Sequence, residues 1–282
     1  MRGVATSASF ELCGKDKYGL SWQIIPTALG ELMGDKDPQK ATRVMDAMLK
    51  TGKIEIRGLE RPYPAAVMSL RAQLRQGIFG QGARGAAVTV VLGVIAIATS
   101  LVYDALNHGP NVVFLRTPID DLIPVVGPFV IPYVSLRPFL YGSALVFLFF
   151  RARIYRSAAI SMTVVLLISY VFYVFMQSYI DRPVLLGDDL FSRMIRDVYA
   201  GDQPYNDFPS LHASLSTVFA IHWWRVDRRI GLAVAIWVAL IVVSTVFVKQ
   251  HYVADMIAGT ALAFLVSRVS LARLVDRGTA AR

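Results

Sequence analysis

Charge is scarce in this chain: Asp, Glu, Lys and Arg make up 17% of its 282 residues, against 55% hydrophobic, where soluble domains carry about 25% charged residues. With a mean hydropathy of +0.50, the composition fits an ordinary soluble domain poorly and a membrane protein well. There is one cysteine, Cys13, which excludes an internal disulfide framework and any zinc site built from several thiolates. Histidine is equally sparse. His108, His212, His222 and His251 are the whole stock, so imidazole chemistry has few candidates. Met1 to Ser9 lack the apolar core of a cleavable leader.

What is abundant is apolar sequence gathered into blocks. Six spans are expected, roughly 86–106, 133–150, 158–179, 211–224, 230–248 and 254–275, each close to the ~20 residues that a helix needs to cross ~30 Å of hydrocarbon. The second and fourth are the shortest. Charge placement tests the count, because cytoplasmic loops collect Lys and Arg. Arg71, Arg75 and Arg84 precede the first span, Arg151, Arg153 and Arg156 separate the second and third, Arg225, Arg228 and Arg229 the fourth and fifth, and Arg268, Arg273 and Arg277 close the last. All belong to one side. The opposite loops hold Asp120 and Asp121, then Asp181, Asp188, Asp189, Asp197, Asp202 and Asp207 against Arg182, Arg193 and Arg196. The expectation is a multi-pass protein of a bacterial plasma membrane with both termini cytoplasmic. Its formal charge of +9 then reflects topology and not a nucleic-acid surface.

Residues 1–60 differ from the rest, with polar and charged residues interleaved and no run long enough to span a bilayer. A strand is expected over Tyr18–Ile25, stopped by Pro26, and a helix from Asp37-Pro38 to about Lys50. KDKYGLSWQIIPTALGEL followed by DPQKATRVMDAMLKTGKIEI resembles the C-terminal end of the vicinal oxygen chelate superfamily, in its 3-demethylubiquinone-methyltransferase-like members. The resemblance implies a last strand and tail helix only, so no activity or metal site comes with it. Residues 61–85 read as a basic linker with Pro62, Pro64, Arg71, Arg75, Gly77, Gly80, Gly82 and Gly85, suited either to an anionic membrane face or to solvent. Residues 86–275 form the membrane domain. The fold class is therefore all-α, a six-transmembrane-helix bundle preceded by a small soluble α+β fragment.

Once the spans are drawn, unusual polar residues collect on the outer side. They are Arg182-Pro183 after the third span, Pro209-Ser210-Leu211-His212 entering the fourth, and Lys249 through His251 to Asp255 between the fifth and sixth. Ionisable residues at a bilayer edge are costly, and a cluster of them is by default a site. His251 and Asp255 stand four apart, on one face of a helix, so the carboxylate can hold one ring nitrogen and leave the other basic. Alone, such a pair is more often an interfacial ion pair. His212 adds a second imidazole, which suits a nucleophile plus a general acid. A phosphoryl group in transfer spreads negative charge over its oxygens, and Arg182, Lys249, Ser210 and the free N–H groups opening the fourth span supply the complement. Competing assignments are a snorkelling role for Lys249, Arg61-Pro62 or Arg137-Pro138 as the functional Arg-Pro, and a metal held by His212, His251 and Asp255, which lacks further matched carboxylates.

R-P, then P-S-x-H, then Ser244 through His251 to Asp255 resembles the three-part signature of the type 2 phosphatidic acid phosphatase superfamily, over about 86–275. DLIPVVGPFVIPY, FPSLHASLS and STVFVKQHYVADMIAG are most similar to its inositolphosphotransferase-like branch, which contains inositol phosphorylceramide synthase. The resemblance implies a metal-independent, cofactor-free phosphatase or phosphotransferase acting on a lipid phosphate or phosphodiester at the extracytoplasmic face. His251 would be the nucleophile, Asp255 its orienting partner, His212 the acid for the leaving group, and Arg182 and Ser210 phosphate ligands. Water as acceptor makes a phosphatase; an alcohol makes a transferase, such as one moving an inositol-phosphate-type head group. Two basic positions of the signature are Phe175 and Thr245 here, and Lys249 is placed to restore one charge. The outer loop, 184–207, carries Arg193, Arg196 and enough apolar residues to be an amphipathic lid on the membrane or a packed loop. The competing function is a non-enzymatic anion-binding membrane protein or small transporter. Vanadium haloperoxidase and intramembrane serine protease chemistries fit less well, the first for its six spans and the second for want of G-x-S-x-G.

Overall fold

The computed structural model describes residues 74–109, 112–185 and 187–276, and before them Phe10, Glu11, Cys13–Lys15, Ser21–Gln23, Asp37, Gln39, Thr42, Lys53 and Ile54. The chain divides into two compact units, Met1–Ser69 and Leu70–Arg282. In the first, β1 (Phe10–Glu11) pairs antiparallel with β4 (Lys53–Ile54), and β2 (Cys13–Lys15) with β3 (Ser21–Gln23), setting Cys13 opposite Gln23. The strand expected around 18–25 is present at Ser21–Gln23. Of the helix expected from Pro38 to Lys50, Gln39 and Thr42 are helical and the rest lies outside the described residues. Its start is capped, since Asp37 accepts from the Gln39 backbone N–H at 3.0 Å.

The second unit is helical: α1 (Gly82–Ser100), α2 (Tyr103–Leu106), α3 (Pro118–Leu122), α4 (Val130–Val134), α5 (Leu136–Phe150), α6 (Ala152–Phe175), α7 (Leu190–Gly201), α8 (Leu211–Val226), α9 (Arg228–Phe247) and α10 (Val253–Leu271). Among the described residues, five stretches are long and apolar enough to cross a membrane: Gly82–Leu106, Gly127–Phe150, Ala152–Phe175, Arg228–Phe247 and Val253–Val275. The fourth of the six expected spans is α8, whose 16 residues reach only ~24 Å at 1.5 Å per residue. It packs against α5, α6, α9 and α10 and buries Ser214, Ser216, Thr217 and His222. A helix sheathed in other helices faces protein and not lipid, so it tolerates polar residues that lower its hydropathy.

Boundaries differ from the hydropathy reading at two places. α1 starts at Gly82, inside the stretch read as linker. α6 starts at Ala152 and not near 158, because Arg156 finds an acceptor in the Gln81 side chain and its apolar stem can continue the helix.

The core lies between α5, α6, α8 and α10, around Phe147, Val165, Leu166, Val218 and Ala263, with the rings of Phe147 and Phe219 stacked 5.9 Å apart. A polar knot lies near one end of it. Ser270 contacts Ser157 at 3.0 Å and Ser161 at 2.6 Å, while His222 bonds the Val218 carbonyl at 2.7 Å and Ser157 at 2.9 Å. Both His222 nitrogens are satisfied, which makes it a structural tie between helices. His222→Ala is expected to lower stability by about 1–3 kcal/mol through lost hydrogen bonds and a cavity. A reduced unfolding midpoint in detergent, with unchanged activity per folded molecule, is the measurement.

Candidate active site

The α9–α10 turn is built by one carbonyl. Thr245 O accepts from Gln250 N (2.9 Å) and His251 N (3.2 Å), while its hydroxyl donates back to Val242 O at 2.7 Å. Lys249 takes φ +53°, a left-handed conformation that costs a non-glycine residue roughly 1–2 kcal/mol. The sharp reversal buries Gln250 and His251 while Lys249 stays half-buried. Tyr252 then caps α10, its N–H bonded to the Asp255 carboxylate at 2.8 Å. That fixes Asp255, fully buried, with one oxygen 3.8 Å from His251 Nδ1.

The α8 N-terminus is tied to the same point. Ser210 N donates to Asp255 O at 3.1 Å, and Ser210 Oγ caps α8 by accepting from Ala213 N at 3.3 Å. The approach needs Gly259, one turn beyond Asp255, because a Cβ there would collide with the Ser210 carbonyl and Ser214 Oγ. His212 lies beside His251, ring centroids 5.8 Å apart, and stacks on Tyr133 of α4 at 4.3 Å.

Arg182 arrives from the third segment. It donates to the carbonyls of Tyr199 (3.3 Å), Asp202 (2.7 Å) and Gln203 (3.3 Å) and to Gln250 Oε1 at 2.6 Å, with its guanidinium 5.0 Å from the Tyr199 ring centre. The neighbouring Asp181 N–H reaches Tyr252 Oη at 3.3 Å. Five of the six residues expected from sequence, Arg182, Ser210, His212, His251 and Asp255, thus belong to one assembly, joined by hydrogen bonds through Gln250 and Ser210 and by ring proximity at His212. Lys249 does not join it: its ammonium donates to Asp120 O at 2.9 Å, and burial lowers its pKa.

The 184–207 loop holds α7, opened by Asp189, which accepts from Phe191 N and Ser192 N at 3.0 and 3.1 Å. Its apolar side, with Phe191, Met194, Ile195, Val198 and Tyr199, packs on Val130, Tyr133 and Val248. Tyr199 Oη also donates to Val248 O at 2.8 Å. α7 is therefore a packed cover beside the histidines. Arg196 is spent on the carbonyls of Leu185 and Gly187, and Arg193 is exposed. Phe175 is 84% exposed at the end of α6, so its position faces out of the bundle.

Sequence reasoning missed Tyr133, Asp207 and Gln250. Asp207 is buried with one oxygen unpartnered; burial first, then the charges of Asp255 and Asp202, push its pKa well up, against the opposing pull of Arg182. Asp202 is raised by burial, with Arg182 and hydrogen bonds from Tyr103 Oη (3.2 Å) and Asn107 Nδ2 (2.7 Å) working against it. Other buried polar atoms without partners here include His251 Nδ1, Asp255 Oδ1, Arg182 Nε, Gln250 Nε2, Asn107 Oδ1 and Asn206 Nδ2. Such atoms are costly unless something else meets them. Among the described residues, no three His, Cys, Asp or Glu side chains group as a metal site.

A family model, described as the PAP2 superfamily, matches residues 116–269, the stretch that contains this whole assembly. No curated protein and no solved structure matches the chain.

Proposed function

Because the chain belongs to the PAP2 superfamily, we propose that it is a membrane lipid phosphatase or phosphotransferase working through a phosphohistidine. The observation that carries this reading is the buried His251–Asp255 pair, 3.8 Å apart, with a second imidazole 5.8 Å away. In the first step His251 Nε2 attacks phosphorus and the bond to the departing oxygen breaks, that oxygen taking a proton from His212. Asp255, its carboxylate 3.8 Å from Nδ1, stabilises the charged ring electrostatically. In the second step an acceptor hydroxyl gives its proton to His212 and attacks phosphorus, freeing His251. Ser210, the N–H groups opening α8 and the one unpartnered Arg182 donor, Nε–H, hold the phosphoryl oxygens. Lys249, bonded to Asp120 O, contributes positive potential from the rim.

The finer assignments belong to the same proposal. Lipid phosphate enters from the extracytoplasmic face, α8 completes six crossings, and both termini are cytoplasmic, supported by the Arg-rich loops on one side. The inositolphosphotransferase-like wording favours an alcohol acceptor and an inositol-phosphate-type head group. A transporter reading is weaker. The polar groups Ser157, Ser161, His222 and Ser270, near the helix ends opposite the histidine pair, are bonded to one another and are not free to solvate a passing ion.

Detergent-purified protein should release or transfer phosphate in EDTA from phosphatidate, an isoprenyl diphosphate, or phosphatidylinositol with a lipid alcohol. The product, free phosphate or a new phospholipid, separates phosphatase from transferase. Loss of activity in EDTA with recovery on adding a divalent ion would sink the metal-independent mechanism.

A further inference from the structure

Arg182 is nearly used up by protein. A guanidinium has five N–H donors, and the four on its terminal nitrogens go to the carbonyls of Tyr199, Asp202 and Gln203 and to Gln250 Oε1. Only Nε–H is left, buried and unpartnered. The bidentate fork by which arginine usually takes a phosphate is therefore occupied. A site built for an anion is short of donors.

Gln250 supplies them. It is 2% exposed, adjoins His251, and turns its Oε1 to Arg182 Nη2 at 2.6 Å. That contact also settles the orientation of the amide, because a guanidinium can only donate and the atom facing it must be the oxygen. Nε2, with two hydrogens, is then left buried without a partner, on the residue that precedes His251.

We propose that Gln250 is a ligand of the transferring phosphoryl group, Nε2 donating to a nonbridging oxygen while Oε1 stays on Arg182. The guanidinium polarises the amide, so part of the Arg182 charge is relayed to the phosphate through a neutral side chain. This rests on the phosphoryl-transfer reading above. A purely structural Gln250 would do nothing but anchor Arg182, and the two roles come apart in one substitution. Gln250→Glu keeps an acceptor for Arg182, removes both donors and sets negative charge towards the phosphate.

The experiment measures phosphatidate turnover, inhibition by orthovanadate and thermal unfolding for wild type, His251→Ala, Gln250→Glu and Gln250→Met. The expected result for Gln250→Glu is a kcat lower by about 10²–10³-fold, the loss typical of one oxyanion donor. Vanadate inhibition should weaken in parallel, with an unfolding midpoint at or above that of wild type. Should Gln250→Glu not fold, Gln250→Met decides: a phosphoryl ligand loses vanadate inhibition together with kcat, whereas an anchor loses thermal stability and keeps wild-type vanadate affinity. Turnover in wild type and its absence in His251→Ala secure the underlying reading. Near-wild-type activity and vanadate sensitivity in Gln250→Glu would then overturn the Gln250 assignment alone, and a wild type inert on phosphatidate, the isoprenyl diphosphate and phosphatidylinositol with a lipid alcohol alike would overturn both.

Discussion

Replacing His251 by Ala is expected to reduce turnover by on the order of 10⁴-fold or more, the scale seen when a covalent nucleophile is removed. The loss should be insensitive to how good the leaving group is. His251 is the only imidazole in the assembly with a carboxylate on its Nδ1 side, 3.8 Å away, and the backbone bonds from Thr245 and Tyr252 fix both partners before substrate arrives. A pre-oriented nucleophile converts a bimolecular attack into a step between held groups, and removal forfeits that whole advantage. Acid-labile, alkali-stable label from ³²P-substrate should appear in wild type and vanish in the variant. Label retained by His251→Ala would move the nucleophile elsewhere. Asp255→Asn should lose less, because it preserves the cap on Tyr252 N–H and removes only the charge behind the ring.

Most of the membrane domain was legible in the sequence because a lipid-facing helix must be apolar along its length, a local property. That argument fails for α8, whose neighbours are α5, α6, α9 and α10; its shortness and its buried serines follow from tertiary surroundings that hydropathy does not register. The same division runs through the site. His212, His251, Asp255, Arg182 and Ser210 could be picked out by residue type and spacing, since their chemistry is intrinsic to the side chains. Lys249 could not be placed, because its partner Asp120 lies 129 residues earlier and its backbone turns left-handed at that point. Gln250 and Tyr133 are ordinary residues until folding brings one to Arg182 and the other under His212. Whether the 184–207 loop lay on the membrane or on protein was likewise open in the sequence. The packing of Ile195 against Val130, Tyr133 and Val248 decides it.

His212→Ala should separate the two proton transfers that the mechanism assigns to one ring. His212 stacks on Tyr133 at 4.3 Å, which fixes its plane, and its centroid is 5.8 Å from that of His251, close enough for both rings to serve one phosphoryl group lying beside them. An alkoxide is a poor leaving group and needs the proton, so turnover of phosphatidate is expected to fall by about 10²–10⁴-fold, the usual contribution of general acid catalysis. p-Nitrophenyl phosphate departs without protonation, and its first step should be nearly spared. Its second step should not, because the incoming water still needs a base. The variant is therefore expected to show a burst of p-nitrophenolate followed by slow turnover, with labelled phosphoenzyme building up to a level that wild type never reaches. A uniform loss on both substrates with no accumulation would place His212 outside the proton path and leave it as packing for Tyr133.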